Sequence, residues 1–337
     1  MSDSQQSLFH DAPITLGTLP PGRHRLWRRV AGMADGGIVS VPFIVLRGTS
    51  SAPRLVAMAG IHGDEHDGPA ALLEIAETVE PSDLVGTLVI VPVANPPAFR
   101  TATRWNVADG QNLNRIFPGE SGGSISHRIA RVLVDEVVPG ADFVLTIHGW
   151  TSGWLTLPYV EYTSGHPTST AARAGAAAFG LTYLEPLGIL PGRLMSHVAG
   201  MAIPGCEVEI GGEGITLPDR AAVGTRGVVG LLRHLGMLPG EPSIPDDQRD
   251  IVRQEIRADD GGGFRRDPSM VVGRFVAAGE RIGSVVALDG SALAIVEAPT
   301  SGVLACLRHA LPVEPGDLLA VVFNNRPADQ SDPGGIQ

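Results

Sequence analysis

Two imidazoles and three carboxylates crowd the short stretch GIHGDEHDG, residues 60–68. Within it His62 and Glu65 form H-x-x-E, directly after the apolar run Leu55-Val56-Ala57-Met58. A neutral imidazole and a carboxylate held on a rigid spot are good zinc ligands, and catalytic zinc takes three protein ligands and keeps a position for water. His66 competes with His62, but it follows Glu65 directly and turns into the helix beyond. A third ligand has to come from a distant strand. DFVLTIHGW places His148 just past one, with Gly149 behind it.

Hydrolysis by a metal-activated water also needs a group that moves protons. The segment CEVEIGGEG offers Glu207, Glu209 and Glu213. A strand alternates its faces, so Glu207 and Glu209 point the same way and Val208 the other. Glu209, next to the Gly211-Gly212 turn, stands where a strand end would meet the site. Between the two histidine segments runs NPPAFRTATRWNVADGQNLNRIFPG, residues 95–119, with Arg100, Arg104 and Arg115. Arginines beside a metal suit two tasks: stabilising a developing oxyanion and holding a substrate carboxylate by a fork of hydrogen bonds. Arg100 also suits a loop-tethering ion pair.

These residues need elements to carry them. The runs 38–46, 54–58, 87–93, 142–147 and 206–210 have the apolar, β-branched character of strands, several of the type buried in a parallel or mixed sheet. Residues 68–79 and 126–138 have helical spacing, the second with Ser124 or Ser126 as its N-cap. Strands alternating with helices predict an α/β domain with a mixed central sheet flanked by helices. In an open sheet of that kind, ligands gather outside the carboxyl ends of the strands. Near residue 240 the turn-rich GEPSIPDDQRD marks a linker. Beyond it short strands alternate with glycine turns. The expected organisation is an arm over 1–20, a catalytic domain over 21–240, a small all-β domain over 241–327 and a disordered tail over 328–337.

Bulk properties narrow the function classes. The 337 residues are 43% hydrophobic and 18% charged, ordinary for a globular enzyme. The net charge of −11 offers no basic field for nucleic acid. All 25 basic residues are arginine, which excludes Schiff-base chemistry and a lysine-borne prosthetic group. Two cysteines, Cys206 and Cys306, build neither a disulfide framework nor a cysteine-rich zinc site. No apolar run reaches the roughly 18–20 residues of a membrane span. The polar start, MSDSQQSLFHDAP, lacks the order of a signal peptide, so a cytoplasmic location is expected.

Taken together, GIHGDE (60–65), NPPAF, TATRW and NLNRIFPG (95–119), His148 and IPGCEVEIGGEG (203–214) resemble the succinylglutamate desuccinylase/aspartoacylase family, a branch of the zinc carboxypeptidase-like fold. The resemblance covers roughly residues 40–235 and rests on order and spacing as well as on the motifs. It implies one zinc per chain, held by His62, Glu65 and His148. It implies Glu209 as the catalytic carboxylate, Arg104 as the group that polarises the scissile carbonyl, and Asn114 with Arg115 as the grip on a substrate carboxylate. The implied activity is removal of an acyl group from a small N-acylated amino acid or related carboxylate. A metallo-carboxypeptidase of short peptides, or a metal-binding homologue without catalysis, would share most of these residues. The C-terminal segment, with APTSGVL and VEPGDLLAVV, resembles the family's lipoyl-like or barrel-like domain. Its expected task is to wall the site entrance or to build a homo-oligomer interface. Two positions depart from the family pattern. Thr146 stands where an aspartate often precedes the third ligand, which bears on how that histidine is oriented. Met195 stands where an arginine is common, with Arg193 two residues away.

Overall fold

Three apolar runs, Leu55–Ala59, Leu88–Val91 and Phe143–His148, are buried at every residue. Strands buried on both faces belong in the middle of a sheet covered by helices, and the fold is built around them. A computed structural model describes residues 9–325. The first half runs β1 (Phe9–His10), β2 (Gly22–Gly32), β3 (Ile38–Arg47), β4 (Arg54–Ala59), α1 (Asp67–Thr78), β5 (Thr87–Val91), α2 (Pro96–Thr101), α3 (Ile125–Val132) and β6 (Phe143–His148). It continues with β7 (Trp154–Thr163), α4 (Ser169–Ala178), β8 (Tyr183–Leu187), α5 (Leu194–Gly200), β9 (Gly205–Gly212) and α6 (Pro218–His234). Strands then follow one another: β10 (Arg249–Arg257), β11 (Gly262–Arg266), β12 (Phe275–Val276), β13 (Arg281–Val286), β14 (Ala292–Glu297), β15 (Gly302–Arg308), β16 (Pro312–Val313) and β17 (Leu318–Asn325).

The central sheet is mixed. β4 lies parallel to β5 and β6, and β6 parallel to β9, whereas β3 and β7 run antiparallel to their neighbours β5 and β9. Period-2 alternation divides the core between its faces. Leu55, Ala57, Leu145 and Ile147 pack with Leu72 and Ile75 of α1, Ala176 of α4 and Leu231 of α6. Val56, Met58, Val89 and Val144 pack on the other side with Ile129 of α3 and with Leu194 and Val198 of α5.

Three details differ from expectation. The helix over 126–138 is not uniform: α-geometry ends at Val132, and Leu133–Val137 forms a π turn. Ser124 is the N-cap residue, one of the two expected, but its side chain makes no capping hydrogen bond. Asp109 serves instead, accepting from the Ser126 N–H at 2.8 Å and the Ser124 hydroxyl at 2.7 Å, and so ties the arginine-rich loop to the helix start. Within the expected N-terminal arm, Phe9–His10 pairs with β2, and Ile14 and Leu16 are buried. The expected C-terminal tail lies outside the described residues.

The C-terminal strands do not stand apart from the sheet. β10 pairs with β8, β17 with β10, β15 with β17, and β15 returns to β7. With the β7–β8 pairing, five strands close a ring. Its filling is Tyr159, Ile251, Ala305, Cys306, Val321 and Phe323. β14, β13, β11 and β16 form a second sheet of four strands. Among the described residues, no helix is long and apolar enough to cross a membrane.

The loop after β4 is held by close backbone contact. A Cβ on Gly63 would lie 2.0 Å from the Ala98 carbonyl, whereas a Cβ on Gly122 meets nothing within 4 Å. Gly63→Ala is therefore expected to lose about 1–3 kcal/mol in urea unfolding, and Gly122→Ala to stay within about 0.5 kcal/mol of the parent. Equal unfolding midpoints for the two variants would refute this packing argument.

Candidate metal and catalytic site

The carboxyl ends of β4, β6 and β9 lie side by side, in that order across the sheet. β4 leads into His62 and Glu65, β6 ends on His148, and β9 carries Glu207 and Glu209 near its end. This is where an open α/β sheet places ligands. Register makes the placement specific, since His148 lies opposite Glu209 and Thr146 opposite Glu207.

Ligand atoms of His62, Glu65 and His148 lie within 4.8 Å of one another, and all three residues are buried. Nδ1 of His62 is 2.6 Å from Glu65 Oε1, and Nδ1 of His148 is 2.8 Å from Glu65 Oε2. His62 turns its other nitrogen, Nε2, to Asn112 Oδ1 at 3.1 Å. Burial lowers the His62 pKa, favouring the neutral imidazole a metal requires. Burial alone would also lower that of His148, but the Glu207 and Glu65 carboxylates outweigh it and hold the ring at about 9. The group thus attracts positive charge, and its two imidazoles and one carboxylate match a zinc donor set.

The remaining acids and histidine of the loop have other partners. Asp64 accepts from the Thr151 hydroxyl and, at 3.1 Å, from the Ser152 N–H, and so fastens the loop after β6. Asp67 accepts from the Leu217 N–H at 2.9 Å. His66 points away from the cluster, with Nε2 3.0 Å from the Gly63 carbonyl and its ring edge-on to Phe99.

A cavity of about 280 Å³ opens over this cluster, lined by His62, Arg104, Asn114, Arg115, Glu207 and Glu209 among others. Arg104 donates to Glu65 Oε1 at 3.0 Å. Arg115 donates to the Asn114 carbonyl at 2.7 Å and, among the described residues, faces no carboxylate at ion-pair distance. Asn114 accepts from the Leu194 N–H at 3.0 Å and donates to Glu207 at 3.4 Å, which leaves one amide hydrogen for a ligand. Burial, with Glu65 close by, pushes the Glu209 carboxyl well above the usual range, and its Oε2 is buried without a hydrogen-bond partner. Glu213 lies off the cavity, paired with Arg220 at 2.9 Å. Arg100 is exposed on a separate hollow beside Pro96 and Pro97. A larger cleft of about 570 Å³ between β2 and α3 is lined by Arg28, Arg29 and Arg131, paired with Glu136, Asp11 and Asp135, and by Arg128, which donates to the Gly123 carbonyl at 2.9 Å.

Residues 51–235 match the family model of the succinylglutamate desuccinylase/aspartoacylase catalytic domain. The chain belongs to that family. It is 31% identical over 300 residues to the N-alpha-acetyl-L-2,4-diaminobutyric acid deacetylase of Halomonas elongata, across 85% of this chain and 86% of that protein. In structure it is similar to the product-bound ectoine utilization protein EutE of Ruegeria pomeroyi, with a TM-score of 0.84 and 27% identity over 93% of this chain and 98% of the other. A family member from Rhodobacter sphaeroides aligns with the same TM-score at 25% identity, over 91% of this chain and 97% of its own.

Within this family member, both departures from the family pattern have a local counterpart. Thr146 donates to Glu207 Oε2 at 3.5 Å, and the same oxygen lies 3.7 Å from His148 Nε2, so a carboxylate on the neighbouring strand stands beside the third histidine. Met195 is buried in the core, and it is Arg193 that reaches the cavity. Arg193 bridges Glu207 and Glu161, the latter at 2.6 Å. Burial opposes the charge on Glu207, but Arg193 and His148 hold its carboxyl down at about 2.

Sequence patterns did not reveal Glu161, Tyr159 and Arg253, all on the cavity wall, whereas Trp150, next to the His148-Gly149 pair, is a bulky residue whose place in the sequence points to the pocket. The charges in β7, WLTLPYVEYT, and in β10, RDIVRQEIR, were the available signals. Glu161 lies directly opposite Glu207 across β7 and β9. At strand spacing, two such charges repel by roughly 3 kcal/mol at an effective dielectric near 20, so the guanidinium between them is required.

Arg193→Leu is expected to lose about 3–5 kcal/mol at pH 8, the cost of removing the cation that the buried Glu161 and Glu207 share. Without it, the folded protein would hold protons on this pair more tightly than the unfolded chain does. The gap to the parent should narrow as the pH falls from 8 to 5, where the parent still keeps Glu207 ionised. Denaturant titrations at the two pH values check this, and a gap independent of pH would show that the pair does not depend on Arg193.

Proposed function

We propose that this chain is a metal-dependent deacylase, with zinc as the metal its donor set fits, and that it removes the acyl group of a small N-acylated amino acid. The observation that carries the reading is the convergence of His62, Glu65 and His148 with Glu209 and Arg104 on one small cavity. The Halomonas elongata relative supports the reaction type, being named for the deacetylation of an N-acetylated amino acid.

His62, Glu65 and His148 would hold the zinc, which would supply Lewis acidity at the acyl carbonyl and a more acidic water. Glu209 moves the protons. In its ionised form it takes one from the attacking water, and it then gives that proton to the departing nitrogen. Its raised pKa suits both halves of the cycle. Arg104, at the rim, hydrogen-bonds the oxyanion that develops from the acyl carbonyl. Arg115, with the spare amide hydrogen of Asn114, seats the substrate carboxylate.

The cavity's size favours a small substrate over a peptide. Its outer wall includes Arg253 and Leu318 from the C-terminal strands, and about 280 Å³ holds little more than one amino acid with its acyl group. This supports deacylation over carboxypeptidase action. The presence of Glu209 and Arg104 beside the donor set argues against a binding protein without catalysis.

Glu209→Gln should retain the metal and lose at least about 1,000-fold in kcat on N-acetyl amino acids. His148→Ala should lose both metal and turnover. Elemental analysis and amine release, measured on the same preparations, test this. Near-normal turnover by Glu209→Gln would sink the assignment, as would full activity in metal-free wild type.

A further inference from the structure

The cavity has a direction, and β9 sets it. Three levels follow one another along that strand, each about 7 Å beyond the last. At the first, Glu207 lies opposite Glu161 on β7, and Asn114 donates to Glu207. Arg115 belongs to this level too. Burial, with Arg193 and Arg104 close by, lowers its pKa, and Glu207 and Glu161 are the carboxylates that counter them. At the second level, Glu209 lies between His148 of β6 and Tyr159 of β7. At the third, Gly211 and Gly212 face Thr156 and Leu155.

The loop after β6 comes down on the third level. A Cβ on Gly149 would lie 2.5 Å from the Ile210 carbonyl, and one on Gly212 would lie 3.2 Å from the Trp150 carbonyl. Glycine at both positions lets the two backbones meet. Asp64 fastens the next residues, Thr151 and Ser152. The Trp150 backbone is therefore anchored at the end of the cavity away from Asn114 and Arg115. Its indole reaches back to the second level and lines the cavity.

Side chains from two other strands hold that indole. Its Nε1–H donates to the Tyr159 hydroxyl at 3.3 Å, and its ring lies 4.9 Å from that of Trp154 between centroids. The hydroxyl also accepts from Arg253 at 2.6 Å, so its own hydrogen goes to Glu161, 3.3 Å away. Arg253, arriving on β10, lies 3.0 Å from Glu185, which stands opposite Glu161 on β8. Every hydrogen-bonding position of the Tyr159 hydroxyl is thus engaged, and the indole N–H has a fixed acceptor.

This order along β9 divides a substrate in two. With its carboxylate on Arg115 and Asn114 and its amide at Glu209, an N-acyl amino acid has its amine half between the first two levels. Its acyl half runs on toward the third, where Trp150 stands. We propose that Trp150 is the specificity-determining residue for the acyl group, its indole setting the length of acyl chain that the cavity admits, with Tyr159 and Arg253 as the positioning residues that hold it. The inference rests on the deacylase reading. It gives the C-terminal strands a part in selectivity, because Arg253 acts on the acyl end through Tyr159.

The test measures kcat/KM along two series. In the first, the acyl group stays acetyl and the amino acid is alanine, aspartate, glutamate or 2,4-diaminobutyrate. In the second, the best of these amino acids for wild type carries an Nα-acetyl, butyryl or hexanoyl group. Wild type should lose about tenfold or more at each lengthening of the acyl chain. Trp150→Ala should bring the butyryl derivative within about threefold of the acetyl one, and should keep the wild-type order of the four amino acids. Tyr159→Phe removes only the hydroxyl that holds the indole. It should weaken the acyl preference in the same direction, which covers the case in which Trp150→Ala fails to fold. Equal or rising rates along the acyl series in wild type would overturn the inference while leaving the deacylase reading intact. So would an acyl preference unchanged in the folded variants, or a changed order of amino acids without any change along the acyl series. No hydrolysis of any member of either series would remove both.

Discussion

A buried carboxylate is tolerated only where cations or strong donors face it, and Glu65 is buried at the point where three chain segments meet. Both its oxygens are engaged, one by His62 and Arg104, the other by His148. Burial would raise its pKa, yet the two imidazoles hold it well below the ordinary range. That arrangement fixes the geometry around it. His62 must leave β4 at a set angle, which Gly63 allows by pressing against the Ala98 carbonyl. His148 must end β6 at the same level, which the parallel β4–β6 register ensures. The neighbouring acids Asp64 and Asp67 then fasten this loop to the segments after β6 and β9.

Charge balance extends outward from that centre. Three acids in adjacent strands would repel one another across the sheet, and Arg193 and Arg253 set cations among them. Arg193 comes from the turn before α5, and Arg253 from a strand that follows both acids it meets, Glu161 on β7 and Glu185 on β8. Closing the ring through β10, β17 and β15 is what delivers Arg253. The C-terminal strands therefore shape the cavity from within the sheet and do not merely cover it.

The parts of the site that sequence made legible are those with local signatures. His62 and Glu65 follow an apolar run and precede a helix, and His148 ends another apolar run, so spacing alone pointed to strand ends. Glu209 was marked by a charge in an apolar strand beside two glycines. The central strands were legible for the same reason, to within a residue or two of their ends. What escaped was non-local. Glu161 becomes significant only through its partners on β8, β9 and β10, and pairing register between distant strands leaves no trace in either segment. Arg253 looked like any charge on a half-exposed strand. Ser124 was legible as the N-cap of α3, but the acceptor that serves the helix start is Asp109, a loop residue 15 positions earlier.

Thr146 shows how the two kinds of information combine. Read along the chain, it is a polar residue replacing the acid often found two positions before the third ligand. Read across the sheet, it faces Glu207, whose Oε2 accepts from Thr146 at 3.5 Å and lies 3.7 Å from the far nitrogen of His148, beyond hydrogen-bond distance. That carboxylate, standing on β9, acts on the ring through its charge. Because it also needs Arg193 as counter-ion, the surroundings of His148 are coupled to the row of acids that ends at Glu185. The charges on His148, Glu207 and the acids beyond it are thereby set by one network.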